Sequence, residues 1–161
     1  PVVGRMQLIV QDQAPAVIVD YAHTPDALEK ALSACKEHLN KGCLYLMFGC
    51  GGDRDRGKRA LMAEIAERLA DQIWITSDNP RTEDPETIIK EIMRGLKKPQ
   101  EARIEPDRNR AIELIIESAS ADDLVLLAGK GHETYQEING QRYPFSDLEH
   151  AKSALLKRRA A

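Results

Sequence analysis

The stretch Ile73-Trp74-Ile75-Thr76-Ser77-Asp78-Asn79-Pro80-Arg81 decides the fold of this 161-residue chain. A short apolar run with β-branched and aromatic residues reads as a buried strand. It ends abruptly in a polar loop carrying a carboxylate, an amide and a guanidinium. Asp84-Pro85 follows, a cap and first residue for a helix holding Ile88, Ile89 and Ile92. Strand, polar loop, helix is the unit of an α/β fold, and ligands of open α/β sheets bind in the loops at the carboxyl ends of the strands. Asp, Asn and Pro are also ordinary turn residues, so this segment alone leaves both a turn and a site open.

The same unit recurs on either side. Leu8-Ile9-Val10 and Val17-Ile18-Val19 read as two strands around a turn at Asp12 to Pro15. Thr24 caps a helix that starts at Pro25, with Leu28, Ala31, Leu32, Cys35 and Leu39 as its apolar stripe. Leu44 to Phe48 is a strand, Gly49 to Gly57 a glycine-rich loop, and Leu61, Ile65 and Leu69 mark the next helix. Arg103-Ile104-Glu105 reads as an edge strand. Asp107 caps a helix with Ile112, Ile115 and Ile116, and Leu124 to Leu127 is a strongly buried strand. Asn139-Gly140 predicts a hairpin turn, and Ser146 with Glu149 a capping box for the last helix. The alternation predicts one three-layer, Rossmann-like α/β domain over 1–161. It should have a mostly parallel sheet of about six strands, helices on both faces and a small C-terminal hairpin.

Bulk properties exclude several classes. Apolar residues make up 42% and charged residues 30%, as in an ordinary globule. A net charge of −3 and 4% aromatic residues argue against nucleic acid and anionic membrane as partners. No apolar run approaches the ~20 residues of a membrane span. Cys35, Cys43 and Cys50 show no zinc spacing and leave one unpaired, which suits a reducing cytoplasm. The chain opens at Pro1 with neither initiator Met nor tail and reads as a piece of something longer.

Four loops follow the carboxyl ends of strands, and the unusual residues sit there. In Asp20-Tyr21-Ala22-His23-Thr24-Pro25, a carboxylate that could take ribose hydroxyls precedes a histidine at a helix N-terminus, where free N–H groups favour phosphate. Gly52 to Lys58 nearly satisfies a phosphate-loop pattern. Arg59, however, stands where a magnesium-binding Ser or Thr belongs, and Asp53 and Asp55 would repel phosphate. The alternating Asp and Arg suit a ligand of both signs, or a solvated surface loop. Asp78, Asn79 and Arg81 could hold a zwitterion, the arginine on its carboxylate and the asparagine as a two-way hydrogen-bonder. In Gly129-Lys130-Gly131-His132-Glu133 the glycines permit close backbone approach, and Glu133 could receive an ammonium.

Taken together, Gly4-Arg5-Met6, Asp20 to Pro25, Gly49 to Arg59, Asp78 to Glu83 and Gly129 to Glu133 resemble, in order, the motifs of the C-terminal domain of the Mur ligases. These ATP-dependent enzymes build the peptidoglycan stem peptide. The Asn79-Pro80-Arg81 segment is similar to the branch that adds meso-diaminopimelate to UDP-N-acetylmuramoyl-L-alanyl-D-glutamate. The resemblance implies a cytoplasmic, amide-forming ligase using ATP and Mg2+. Arg5, Asp20 and His23 would lie on the ATP side. Arg54, Asp78, Asn79, Arg81, the Gly129 backbone and Glu133 would form the diaminopimelate pocket. In it Arg54 and Arg81 would grip the distal carboxylate and Glu133 the distal ammonium. It also implies UDP-binding and central ATPase domains that these residues do not contain. This domain would pack against the central one, and the chain alone would not turn over. The residues themselves leave open a non-catalytic amino-acid- or nucleotide-binding module, or a lysine-adding or folylpolyglutamate-type ligase.

Overall fold

A computed structural model describes residues 4–160. Six strands form one sheet in the order β1-β2-β6-β3-β4-β5: Gln7–Ile9, Ala16–Asp20, Leu124–Ala128, Leu44–Phe48, Gln72–Ile75 and Arg103–Ile104. Only the β1–β2 pair is antiparallel, and β2, β6, β3, β4 and β5 run parallel. A separate hairpin, β7 (Tyr135–Ile138) with β8 (Gln141–Pro144), turns at Asn139 and Gly140. Both turn residues have positive φ, 50° and 77°, as the Asn-Gly pair favours.

Strand alternation divides the apolar residues between two cores. Ile18, Leu44, Leu46, Phe48, Ile73, Ile75, Leu124 and Leu126 pack with helices α1 (Pro25–His38), α2 (Lys58–Leu69) and α3 (Pro85–Met93). Val17, Val19, Met47, Trp74, Val125 and Leu127 face α4 (Arg108–Ser118) and α5 (Asp147–Ala160) on the other side. Each such Leu, Ile or Val, when fully buried, contributes about 1.5–3 kcal/mol. The sequence reading of three layers and a mostly parallel six-stranded sheet holds.

The expected caps form. Thr24 Oγ1 accepts from Ala27 N at 3.2 Å, Asp84 Oδ1 from Glu86 N at 3.1 Å, and Asp107 Oδ1 from Arg110 N at 3.3 Å. Ser146 Oγ accepts from Glu149 N at 3.2 Å, one half of the expected box. The α2 helix forms as read, with Ile65 and Leu69 packed against the core. Leu61 is 51% exposed, and the buried face is Arg59, Met62, Ala63 and Ala66. Leu61 lies about 200° around the helix from Arg59 and Ala63, so burial of their face turns it outward.

The chain enters β6 only after β5, inserting it between β2 and β3. Helix α1 after β2 crosses β6 on one face to reach β3, whereas α5 after β6 packs on the opposite face. The loops leaving these neighbouring strands therefore part and open a crevice at their carboxyl ends.

Candidate functional site

The loops after β2, β3, β4 and β6 meet at that crevice. Gly49 and Gly52 let two of them touch backbone to backbone. A Cβ on Gly52 would lie 1.9 Å from Pro80 O, and one on Gly49 would lie 2.3 Å from Thr76 O. Gly52 N donates to Asn79 O at 2.8 Å, and Arg81 Nη1 donates to Gly52 O at 2.8 Å. A Cβ on Gly51 would sit 2.8 Å from Arg81 Nη1 and 3.9 Å from Arg54 Cγ, so both arginines flank the same glycine.

The alternating charges of the Gly49 to Arg59 loop mostly brace it. Asp53 accepts from Thr82 Oγ1 at 2.7 Å and from Thr82 N at 3.1 Å. Asp55 accepts from Gly57 N at 2.8 Å, and Arg56 pairs with Glu91. Arg59, fully buried, donates to Glu83 Oε2 at 2.7 Å and Oε1 at 3.2 Å, and to Gly51 O at 2.9 Å. That pairing pulls the Glu83 carboxyl down from 4.5 to about 2, against the opposing effect of its partial burial. Arg54 is exposed, and its Nη1 donates to Asp53 O at 2.9 Å.

Arg81 has a positive φ of 52°, which turns its side chain from the β4 loop back over Gly51 and Gly52. Its Nε is buried, makes no hydrogen bond and lies 3.7 Å from Glu137 Oε1. The hairpin supports it from behind. Arg81 N donates to Glu137 O at 3.0 Å, and Asn139 N donates to Arg81 O at 2.9 Å. Asn79, 4% exposed, takes two donors on Oδ1: Lys130 Nζ at 2.8 Å and Glu137 N at 2.9 Å. Asp78 Oδ1 lies 3.1 Å from Lys130 Nζ, and Asp78 O accepts from Gln136 Nε2 at 2.8 Å. Glu133 Oε1 is 3.4 Å from the same ammonium. Gly129, with φ 116°, lies under this group: its N donates to Asp20 O, and a Cβ there would be 3.3 Å from Asp78 Oδ2. One buried lysine thus touches Asp78, Asn79 and Glu133 together.

On the β2 side, Asp20 spends its carboxylate on the backbone. Oδ1 accepts from Met6 N at 2.7 Å and Oδ2 from Ala22 N at 2.8 Å. The first bond fastens the segment bearing Arg5, itself exposed. Gly4 crosses close to Gly131, where a Cβ would lie 2.7 Å from Gly4 O. His23 Nδ1 lies 2.8 Å from Tyr21 O. A carbonyl only accepts, so Nδ1 carries the proton and Nε2 is left for a ligand. Lys58 Nζ donates to His23 O at 2.9 Å, linking the β2 and β3 loops.

Buried residues not singled out from sequence hold this floor. Arg108 donates through Nε and Nη2 to Asp147 Oδ1 and Oδ2, both at 2.8 Å. It also donates to Ser77 O at 3.0 Å and Ala128 O at 3.1 Å, fixing the ends of β4 and β6. Burial pushes the Cys35 and Cys50 thiols up to about 12, so neither offers a thiolate near neutral pH. Among the described residues no group of three or more His, Cys, Asp or Glu could hold a metal ion, and no helix is long and apolar enough to cross a membrane.

Residues 4–131 match the family described as Mur ligase, glutamate ligase domain. UDP-N-acetylmuramoyl-L-alanyl-D-glutamate--2,6-diaminopimelate ligase of Pseudomonas putida is 57% identical over 153 residues, 95% of this chain and 31% of that protein. The Pseudomonas aeruginosa ligase of the same name is 58% identical over 153 residues, with the same coverage of 95% and 31%. A solved structure of a ligase of that name superposes with a TM-score of 0.90 at 47% identity, covering 96% of this chain and 32% of that one. This chain therefore spans about a third of the length of the curated relatives it matches.

Proposed function

This chain belongs to the Mur ligase family, as its glutamate ligase domain, and on that premise we propose that it is the C-terminal domain of an ATP-dependent ligase adding meso-diaminopimelate to UDP-N-acetylmuramoyl-L-alanyl-D-glutamate. The observation that carries the reading is the pairing of donors and an acceptor around one buried ammonium. Arg81 and the Asn79 amide offer donors for a carboxylate. Glu133, within reach of the Lys130 that also holds Asn79, offers an acceptor for an ammonium. A free amino-acid end carries both groups, and diaminopimelate has such an end left over after its other amine has reacted.

Membership of the family supports a division of labour. The D-glutamate side-chain carboxylate becomes an acyl-phosphate at the expense of ATP, elsewhere in the ligase. The diaminopimelate amine then attacks that carbonyl and phosphate leaves. The contribution of this chain is to hold the distal end so that the near amine points at the acyl group. Arg54, flanking Gly51 beside Arg81, closes on the distal carboxylate. Asp78 and Gly129 shape the wall behind Glu133.

On the ATP side, Arg5 meets phosphates and His23 Nε2 faces the nucleotide. Asp20 acts through its grip on Met6 N, holding Arg5 in place. Mg2+ would come as the companion of ATP, and the described residues supply no cluster for it. The domain packs against a central ATPase domain, and the ligase works in the cytoplasm with UDP-N-acetylmuramoyl-dipeptide as acyl substrate. The isolated chain has no turnover of its own.

L-Lysine lacks the distal carboxylate and would leave the part-buried Arg81 guanidinium without that partner. The exposed Arg54 would turn to water at little cost, so Arg81 carries the penalty, about 2–5 kcal/mol. A full-length ligase carrying this chain should therefore prefer meso-diaminopimelate to L-lysine by at least about thirtyfold in kcat/KM. Equal use of the two amino acids would refute the assignment.

A further inference from the structure

One charged side chain of the site is fully buried and makes all its contacts within the protein. Lys130, 0% exposed, lies between the β4 loop, the β6 loop and the hairpin. Its ammonium donates to Asn79 Oδ1 at 2.8 Å and to Tyr135 O at 3.0 Å. Its third proton goes to Glu133 Oε1 at 3.4 Å, while Asp78 Oδ1, 3.1 Å away, is an ion-pair neighbour without a hydrogen bond.

Two consequences follow. Both groups on Asn79 Oδ1, an ammonium and the Glu137 peptide N–H, can only donate. The carboxamide then has one permitted orientation, with oxygen inward and NH2 away from Lys130. Its Nδ2 makes no hydrogen bond among the described residues and is not sealed from solvent. Asn79 is therefore a donor toward a ligand, and not the two-way hydrogen-bonder its residue type allows. Second, one ammonium among two carboxylates leaves a formal excess of one negative charge on the Asp78–Glu133 side. The pocket is polarised, with donors at Asn79 and Arg81 and negative charge at Glu133.

We propose that Lys130 is the positioning residue that sets this polarity. It never touches the ligand. It locks Asn79 to face a carboxylate and holds Glu133 where it meets an ammonium, so it governs recognition of a zwitterionic amino-acid end. This rests on the reading of the site as a diaminopimelate pocket. Without the ammonium the carboxamide is free to rotate, and Asp78 and Glu133 face each other without a counter-charge.

The test uses the full-length ligase carrying this chain. Lys130→Met removes the charge and keeps a long, unbranched stem. The KM for meso-diaminopimelate should rise at least about tenfold while the KM for ATP stays within about twofold, and discrimination against L-lysine should shrink. A purely structural lysine would move both KM values together. Asn79→Asp keeps an inward oxygen for Lys130 and the Glu137 N–H but replaces the outward NH2 with oxygen. It adds a third carboxylate beside one ammonium and should lower the melting temperature, and it should raise the diaminopimelate KM at least about tenfold while the ATP KM stays within about twofold. The proposal is overturned if Lys130→Met leaves the diaminopimelate KM unchanged or raises both KM values equally, or if Asn79→Asp leaves it within about twofold. Should Lys130→Met not fold, Asn79→Asp decides alone. A wild-type enzyme indifferent between diaminopimelate and L-lysine overturns the substrate reading and this proposal with it. A wild-type preference that survives Lys130→Met overturns the proposal only.

Discussion

Replacing Asp147 with alanine removes the carboxylate from a guanidinium that has no access to water. The Arg108 and Asp147 side chains are both 0% exposed and joined by two bonds of 2.8 Å. The other Arg108 bonds, to Ser77 O and Ala128 O, are to neutral carbonyls and cannot replace a counter-charge. Breaking one partner of such a pair costs about 3–5 kcal/mol. At about 2–4 °C per kcal/mol for a domain of this size, the melting temperature should fall by about 6–20 °C. Urea denaturation of the chain, followed by circular dichroism, measures the loss directly. The double change Arg108→Met with Asp147→Leu should recover only part of it. It removes the stranded charge but leaves Ser77 O and Ala128 O without donors, at about 1–3 kcal/mol each. A loss below about 1 kcal/mol for Asp147→Ala, or singles that simply add in the double-mutant cycle, would refute the brace.

Other perturbations test other joints of the site. Gly52→Ala places a Cβ 1.9 Å from Pro80 O and should cost about 2–3 kcal/mol in the same denaturation assay, because two loop backbones must part. The Glu83 carboxyl is held at about 2 instead of 4.5, so its bond to Arg59 stabilises the fold fully above pH ~4.5 and loses that contribution as pH falls through about 2. Discounted for the exposure of Glu83, this is on the order of 1–2 kcal/mol, and Glu83→Gln should flatten melting temperature against pH between about 5 and 2. In the full-length ligase His23→Ala should raise the KM for ATP and leave that for diaminopimelate within about twofold, as steady-state kinetics would read.

Much of the fold was legible because local signals agreed with tertiary ones. Thr24-Pro25, Asp84-Pro85 and Asp107 mark helix starts, and the caps they imply form. Leu124 to Leu127 reads as buried, and it is buried on both faces in the middle of the sheet. The crevice was legible too, since its loops follow strand ends.

What the sequence concealed was the buried charge. Arg59, Arg108, Lys130 and Asp147 look like surface residues, and their partners stand 24, 39 and 51 positions away. A signal was present for three of them, Asp147 included, since it continues the stripe of Ala151, Ala154 and Leu155 on the last helix. Arg108 continues the stripe of Ile112 and Ile115, and Arg59 that of Met62, Ala63 and Ala66, so each sits at a core position in the first turn of its helix. Lys130 gave no such sign, because nothing local shows that a hairpin closes over it. The glycine-rich loop was ambiguous in sequence. Its alternating charges suited a ligand or a solvated surface alike, and most of them hold one loop to the next.

Arg81→Ala in the full-length ligase, with steady-state KM values for both meso-diaminopimelate and ATP, probes the distal-carboxylate assignment most directly. Losing a charge-assisted contact whose partner stays desolvated costs about 2–5 kcal/mol, so the diaminopimelate KM should rise between about thirtyfold and a few thousandfold. The ATP KM should stay within about threefold. An equal rise in both would contradict the assignment and reduce the Asn79-Pro80-Arg81 turn to a structural element.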